Sequence, residues 1–374
     1  MPDCGNDGAF SRLSHTIRPM ASATIDTSAL RHNLGIVRAR AQGSRVMAVV
    51  KANAYGHGLV PVARALAQAD AFAVARVEEG LALRRAGIEQ PVVLLEGVFD
   101  ADQRDAAAAS RFDLVVHTPA QIELLRGAAP ASFKVWLKVD TGMNRLGFDP
   151  ADFAAARTAL GALAAVRGPV HSFTHLASAD EPYNAATAAQ LACFEAATRD
   201  LPGERSIANS AALLNLPTAL ADWVRPGLLL YGASPMPGAV GADHGLRPAM
   251  TLRSQVIAVK PIRSGAHVGY GGAWVAARPT RLAVAAIGYG DGYPRSVGAA
   301  GAVLLRGRRA PLAGRVSMDM LAIDATDFDP PVRVGEPVVL WGPGLPVEAV
   351  AAAAGAIPYE LLCGISQRVA VEGR

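Results

Sequence analysis

A chain of 374 residues with 51% hydrophobic content carries enough apolar side chain for a barrel-sized core and a second, smaller one. Lysine and arginine exceed aspartate and glutamate by only 36 to 32, spread along the chain, so no concentrated basic face points to nucleic acid. Three widely spaced cysteines, Cys4, Cys193 and Cys363, form no paired framework, and no apolar run reaches the length of a membrane span. A cytoplasmic protein with a flexible N-terminal extension over residues 1–20 is expected.

From Thr24 onward, short β-rich runs alternate with Ala-, Leu- and Arg-rich stretches of helical period. Asp26 and Thr27 read as a cap before a helix over 29–40. The run 46–50 lacks polar alternation, as a strand covered on both faces of a parallel sheet does, and it stops at Lys51. Further strands are expected at 71–75, 92–95, 114–116, 134–139, 170–176, 206–208 and 224–230, with helical stretches such as 60–68, 78–86, 151–165 and 185–197 between them. Eight alternations within about 240 residues suit a (β/α)8 barrel of roughly 250. The competing open, doubly wound sheet lacks a Gly-x-Gly-x-x-Gly after the first strand.

Beyond the Gly- and Pro-rich loop 234–246 the texture changes. Runs at 254–259, 281–287, 303–305 and 338–341 are spaced by Gly, Pro and Asp with no long helix among them. The expected fold class is therefore α/β: a (β/α)8 TIM-like barrel over 21–240 followed by a mostly-β domain over 241–374. The basic run from Arg306 to Arg309 falls between two apolar runs and reads as a solvated hairpin turn.

Lys51 ends its strand at the carboxyl edge, where barrel enzymes collect reactive groups. It is either a lysine reaching solvent or, desolvated, an amine able to attack a carbonyl. The segment from Val46 to Gly58, Val-Met-Ala-Val-Val-Lys-Ala-Asn-Ala-Tyr-Gly-His-Gly, closely resembles the cofactor-lysine segment of alanine racemases, which use pyridoxal 5'-phosphate. Lys138-Val-Asp-Thr-Gly-Met-Asn-Arg145, closing the fifth expected strand, is similar to the same family along its whole length. So are Asn209-Ser210-Ala211, Arg225-Pro-Gly227-Leu228, Val268-Gly-Tyr270-Gly-Gly-Ala-Trp274, Ser317-Met318-Asp319-Met320 and Ile357-Pro-Tyr359-Glu360. The resemblance runs from about Thr24 to Val369, with its motifs in the family's order.

The resemblance implies a role for each matching position. Lys51 would hold the cofactor covalently and act as one catalytic base, with Tyr270, contributed by the partner subunit, as the other. Tyr55, Ser210, Gly227, Leu228 and Tyr359 would hold the phosphate, with Asn209 beside them. Arg145 would bond the cofactor's phenolic oxygen and the substrate carboxylate. Lys138 is a lysine that family members often carbamylate, and its modified form would brace Arg145. Met318 would offer its backbone N–H to the substrate, with Asp319 holding that loop, and Asp180, Tyr289 and Arg295 would line the entrance. A shared active site implies a homodimer. His171 and His175 stand four apart, but no Glu or Cys partner lies at ligand spacing, so no metal is expected. By resemblance His175 would link the tyrosine base to Arg225.

Arg225 discriminates most sharply. A guanidinium only donates and stays charged, so a pyridine nitrogen facing it must remain an unprotonated acceptor. The ring is then a weaker electron sink, which suits the return of a proton to the carbon that lost it. Related decarboxylases carry an acidic residue there. A broader-specificity racemase, such a decarboxylase and a non-catalytic cofactor carrier are the other readings. The alanine racemase reading leaves open whether D-alanine is made for peptidoglycan or degraded.

Overall fold

The computed structural model describes residues 19–181 and 183–373. The expected N-terminal extension therefore lies outside the described residues up to residue 18. The first strand, β1 (Ser22–Ile25), has alternating burial and does not enter the barrel. It pairs antiparallel with β10 (Met250–Ile262) and parallel with Ala370–Gly373, far along the chain. Asp26 then caps helix Thr27–Ala41, its Oδ1 accepting from Ser28 and Ala29 N–H at 2.8 and 3.1 Å.

Eight parallel strands follow: β2 (Arg45–Val49), β3 (Ala71–Val74), β4 (Val92–Leu94), β5 (Asp113–Val116), β6 (Val135–Lys138), β7 (His171–Phe173), β8 (Arg205–Asn209) and β9 (Trp223–Arg225). Pairing of Arg45 with Trp223 and of Val46 with Val224 closes the ring, which makes it a barrel rather than an open sheet. Strands β3 to β6 are buried along their whole length, as sheets covered by helices and filled from inside require. The expected strand 224–230 is shorter than its apolar run. Pro226 has no N–H for the ladder, and Leu228–Tyr231 coils into a 3-10 turn instead.

The second unit is a sheet in the order Arg308–Pro311, Ala302–Leu305, Pro337–Trp341, β10, β1 and Ala370–Gly373; Thr280–Ala285 also pairs with β10 and Leu321–Asp324 with Thr280–Ala285. Arg306 and Gly307, both at positive φ, make the expected hairpin turn, and Arg306 pairs with Glu336 at 2.6 Å. Two short helices that the texture of the sequence did not announce, Val347–Ala354 and Pro358–Cys363, lie between the last strands. The second packs over the barrel mouth, where a Cβ on Gly56 would collide with the Leu362 carbonyl. No helix among the described residues is long and apolar enough to cross a membrane.

Candidate active site

Strand β2 delivers Lys51 to the carboxyl mouth of the barrel, and the chain then coils left-handed. Ala52, Asn53, Ala54 and Tyr55 have φ of 53°, 53°, 52° and 52°. L-residues resist that conformation by roughly 1–2 kcal/mol each, so the surroundings must hold it. Ala54 N–H donates to Val50 O at 2.9 Å, Gly56 N–H to Ala52 O at 3.1 Å and Gly58 N–H to Asn53 O at 3.0 Å. Leu59 N–H donates to Asn53 Oδ1 at 2.8 Å, and Nδ1–H of buried His57 donates to Tyr55 O at 2.8 Å. Burial brings the His57 pKa down to about 4, so the ring is neutral near pH 7. The reversed coil lays Tyr55 on Tyr231, ring centroids 4.7 Å apart, with Tyr359 at 5.8 Å.

A cradle forms where Tyr55 meets the end of β9. A Cβ on Gly227 would stand 2.5 Å from Tyr55 Oη, so glycine keeps this space open. Ser210 Oγ accepts from Gly227 N–H at 2.9 Å, which leaves the hydroxyl hydrogen to donate elsewhere. Asn209 Oδ1 accepts from Ala212 N–H at 3.0 Å and so caps helix Ser210–Asn215, holding Ser210 in place. Leu228 begins the 3-10 turn. Burial raises the Tyr55 pKa far above the ordinary phenol value, and burial and then Asp180 raise that of Tyr359 to about 12. Both phenols stay protonated as donors. Hydroxyls and backbone N–H groups around one glycine make a donor set suited to a phosphate.

Beside the cradle stands a group of cations. Arg225 is 4% exposed, and its guanidinium lies 3.9 Å from the Phe173 ring centroid. It donates to Ser206 Oγ at 2.6 Å, Thr174 O at 2.6 Å, Ile207 O at 3.1 Å and His175 Nδ1 at 3.3 Å. Every partner is neutral. Burial lowers the Arg225 pKa to about 9, which still leaves it charged near pH 7. Because Arg225 can only donate, Nδ1 of His175 is the bare nitrogen of the ring. Burial, then the charges of Arg225, Lys138, Arg145 and Lys51, holds the His175 pKa well below its ordinary value.

Lys138, 6% exposed at the end of β6, feels the same group. Burial, then Arg145 and Arg225, and more weakly Lys51, lower its pKa to about 8 against the opposing pull of Asp140. Arg145 itself lies exposed on the loop after β6. His171 opens β7 and His175 lies two residues past its carboxyl end: His171 Nδ1 accepts from Glu204 N–H at 2.8 Å, while His175 faces Arg225.

Asp180 stays with the barrel, on the loop between β7 and helix Ala185–Thr198, whereas the other remaining expected site residues lie on the second unit. Tyr270, 68% exposed, lines a shallow hollow with His267, Arg315, Ser317 and Met320, and no barrel residue lines it. Met318 is 53% exposed and Tyr289 41%. Two hydrogen bonds knit their loops together: Tyr289 N–H donates to Ser317 O at 3.0 Å and Gly290 N–H to Met318 O at 2.8 Å. Arg368, which no motif singled out, grips both loops through Asp319 at 2.8 Å and Asp291 at 3.3 Å. Arg295 is exposed nearby in sequence. Tyr231 was also missed, because it ends an apolar run and looks like core. Its hydroxyl donates to Val49 O at 2.9 Å, directly beneath the lysine turn.

Comparison with known proteins supplies the family. Residues 25–235 match the family described as "Alanine racemase, N-terminal domain" and residues 249–372 the one described as "Alanine racemase, C-terminal domain". The chain is 52% identical over 359 residues to the alanine racemase of Thioalkalivibrio sulfidiphilus, covering 95% of this chain and 99% of that protein. It is 53% identical over 355 residues to that of Azoarcus sp., covering 94% and 99%. The crystal structure of the biosynthetic alanine racemase from Pseudomonas aeruginosa superimposes with a TM-score of 0.91 at 45% identity, covering 96% of this chain and 99% of that one. That of the Bartonella henselae alanine racemase, described with covalently bound pyridoxal phosphate, does so with a TM-score of 0.84 at 31% identity, covering 96% and 99%. With both halves matched in order and nearly every residue covered, the chain belongs to the alanine racemase family.

Proposed function

We propose that this protein interconverts L-alanine and D-alanine with pyridoxal 5'-phosphate, Lys51 and Tyr270 acting as the two bases on opposite faces of the substrate. The observation that carries the reading is Arg225: a buried cation, met only by neutral partners, at the end of the barrel that bears a lysine and a hydroxyl-lined cradle. The residues suit the cofactor. Gly227 keeps open a space bounded by Tyr55 and Ser210 for a phosphate, and Lys51 offers an amine for its aldehyde. When bound, pyridoxal phosphate supplies an aldehyde that captures amines and a ring that withdraws electrons from the alanine α-carbon.

The chain's own groups do the rest. Tyr55, Ser210, Tyr359 and the N–H group of Leu228 would hold the phosphate, while Gly227, whose own N–H donates to Ser210 Oγ, keeps the space for it open. Arg145, with Lys138 behind it, orients the substrate carboxylate. Arg225, charged near pH 7 and able only to donate, would offer a donor to the ring nitrogen and so disfavour its protonation. Lys51 Nζ takes the α-proton from D-alanine and Tyr270 Oη takes it from L-alanine, each returning one in the opposite direction. Tyr270 lies exposed on its own chain, so the tyrosine serving one barrel comes from a second copy, in a homodimer with shared sites. Met318 and Asp319 travel with it, while Asp180, Tyr289 and Arg295 border the entrance. The described cysteines, Cys193 and Cys363, are unpaired, which agrees with a cytoplasmic setting.

A racemisation assay over L-alanine, L-serine, L-lysine and L-arginine tests the reading. The expected result is D-alanine formed far faster than the other products and abolished in Lys51→Ala. Carbon dioxide release from lysine, ornithine or diaminopimelate, without racemisation, would replace it with a decarboxylase.

A further inference from the structure

Glu79 stands in the first turn of helix Val77–Arg85, and its two oxygens face different elements. Oε2 accepts from Ala75 N–H at 2.9 Å and Arg76 N–H at 3.2 Å, capping that helix just past the end of β3. Oε1 accepts from Ala52 N–H at 2.6 Å. Ala52 follows Lys51 directly and is the residue at which the backbone turns to positive φ. A helix cap requires only the first oxygen. The second joins the carboxyl ends of β2 and β3 at the point where the chain changes hand. A carboxylate accepts on both oxygens and donates from neither, so a neutral amide in its place must turn a donor toward one of the two sets of N–H groups.

We propose that Glu79 is a positioning residue for Lys51: by holding the Ala52 peptide it fixes the left-handed coil and hence where the lysine amine stands in the barrel mouth. This rests on the reading of Lys51 as the cofactor lysine. Nothing in the sequence marks Glu79 apart from its exposed neighbour Glu78, since both begin the same helix.

The test compares holoenzyme carrying Glu79→Gln or Glu79→Asp with the wild type and with Glu78→Gln, which removes the same charge from the same helical turn. Hydrogen–deuterium exchange is followed separately over residues 52–58 and 77–85, together with kcat, KM and the melting temperature. Loss of one charge-assisted bond is expected to speed exchange over 52–58 in Glu79→Gln about tenfold, with 77–85 little changed. Misplacement of the amine is expected to lower kcat by about ten- to a hundredfold with KM nearly constant. Glu79→Asp, one methylene too short to span both elements, should show the same pattern and serves if the amide variant does not fold. Glu78→Gln should match the wild type. Unchanged exchange over 52–58, or a kcat loss that only follows general destabilisation while 77–85 loosens equally, would reduce Glu79 to a helix cap and overturn the proposal. A wild-type enzyme with no racemase activity would instead overturn the reading of Lys51 and leave the exchange data to judge the coil.

Discussion

Arg225 donates to Nδ1 of His175 across 3.3 Å, and the same guanidinium nitrogen donates to the carbonyls of Thr174 and Ile207. One planar cation thereby sets the tautomer of the histidine and ties the ends of β7, β8 and β9 together. Its charge is met by no carboxylate among these partners, so it remains available to whatever faces the barrel mouth.

Arg225→Lys keeps a positive charge but not the fork of donors. A lysine ammonium has three donors on one nitrogen for the four acceptors Ser206 Oγ, Thr174 O, Ile207 O and His175 Nδ1, so at least one buried acceptor loses its donor, which costs about 1–3 kcal/mol. Urea unfolding should show that loss. Racemisation should fall about a hundredfold, the scale of removing one preorganised electrostatic partner.

Gly227→Ala puts a methyl group 2.5 Å from Tyr55 Oη, inside the cradle rather than beside it. Tyr55 cannot simply swing away, because it is packed on Tyr231. Overpacking of this kind costs about 1–3 kcal/mol, and here it should appear as weaker cofactor binding. Equilibrium dialysis against pyridoxal phosphate should show the dissociation constant rising while the apo fold is kept.

Lys138 gives the protein a pH signature. Its pKa falls from the ordinary lysine value to about 8 on folding, so between about pH 8 and pH 10.4 the unfolded chain binds more protons than the folded one. Stability from this residue is therefore missing below pH 8 and is gained as pH rises through that window, by up to about 1.4 kcal/mol per pH unit. Lys138→Met should flatten the rise in a series of denaturant melts. The same depressed pKa leaves a neutral amine near pH 8 for carbamylation, so isotope-labelled bicarbonate should give a carbamate resonance that Lys138→Met lacks.

Tyr270→Phe removes one oxygen from an exposed ring, so folding should be unaffected while kcat falls by about 10²–10⁴. Mixing inactive Lys51→Ala subunits with inactive Tyr270→Phe subunits tests where the tyrosine acts. A shared site predicts partial recovery of activity after subunit exchange, since one mixed dimer contains one complete site. No recovery, with exchange verified by mass, would place both bases in one chain.

The barrel was legible because its strands are short, apolar and unbroken: the runs at 46–50, 71–75, 92–95, 114–116 and 134–139 each became a parallel strand. Lys51, Gly227 and Arg225 were legible because each lies in a contiguous motif at a strand end. Local pattern also revealed the cap at Asp26 and the turn at Arg306. Such signals depend on neighbours a few residues away, and the chain carries them wherever it goes.

What tertiary structure alone decided is of another kind. Ser22–Ile25 leaves the barrel because its alternating burial finds partners at β10 and Ala370–Gly373, hundreds of residues on. Four residues after Lys51 turn left-handed although none is glycine, because Glu79, Asn53, His57 and the packing on Tyr231 together outweigh the steric cost. The neutral surroundings of Arg225 and the exposure of Tyr270 likewise depend on which distant groups meet. Local propensity selects the elements, but the energy of a charge or a strained backbone is set by its three-dimensional neighbours, and those exist only once the chain has closed.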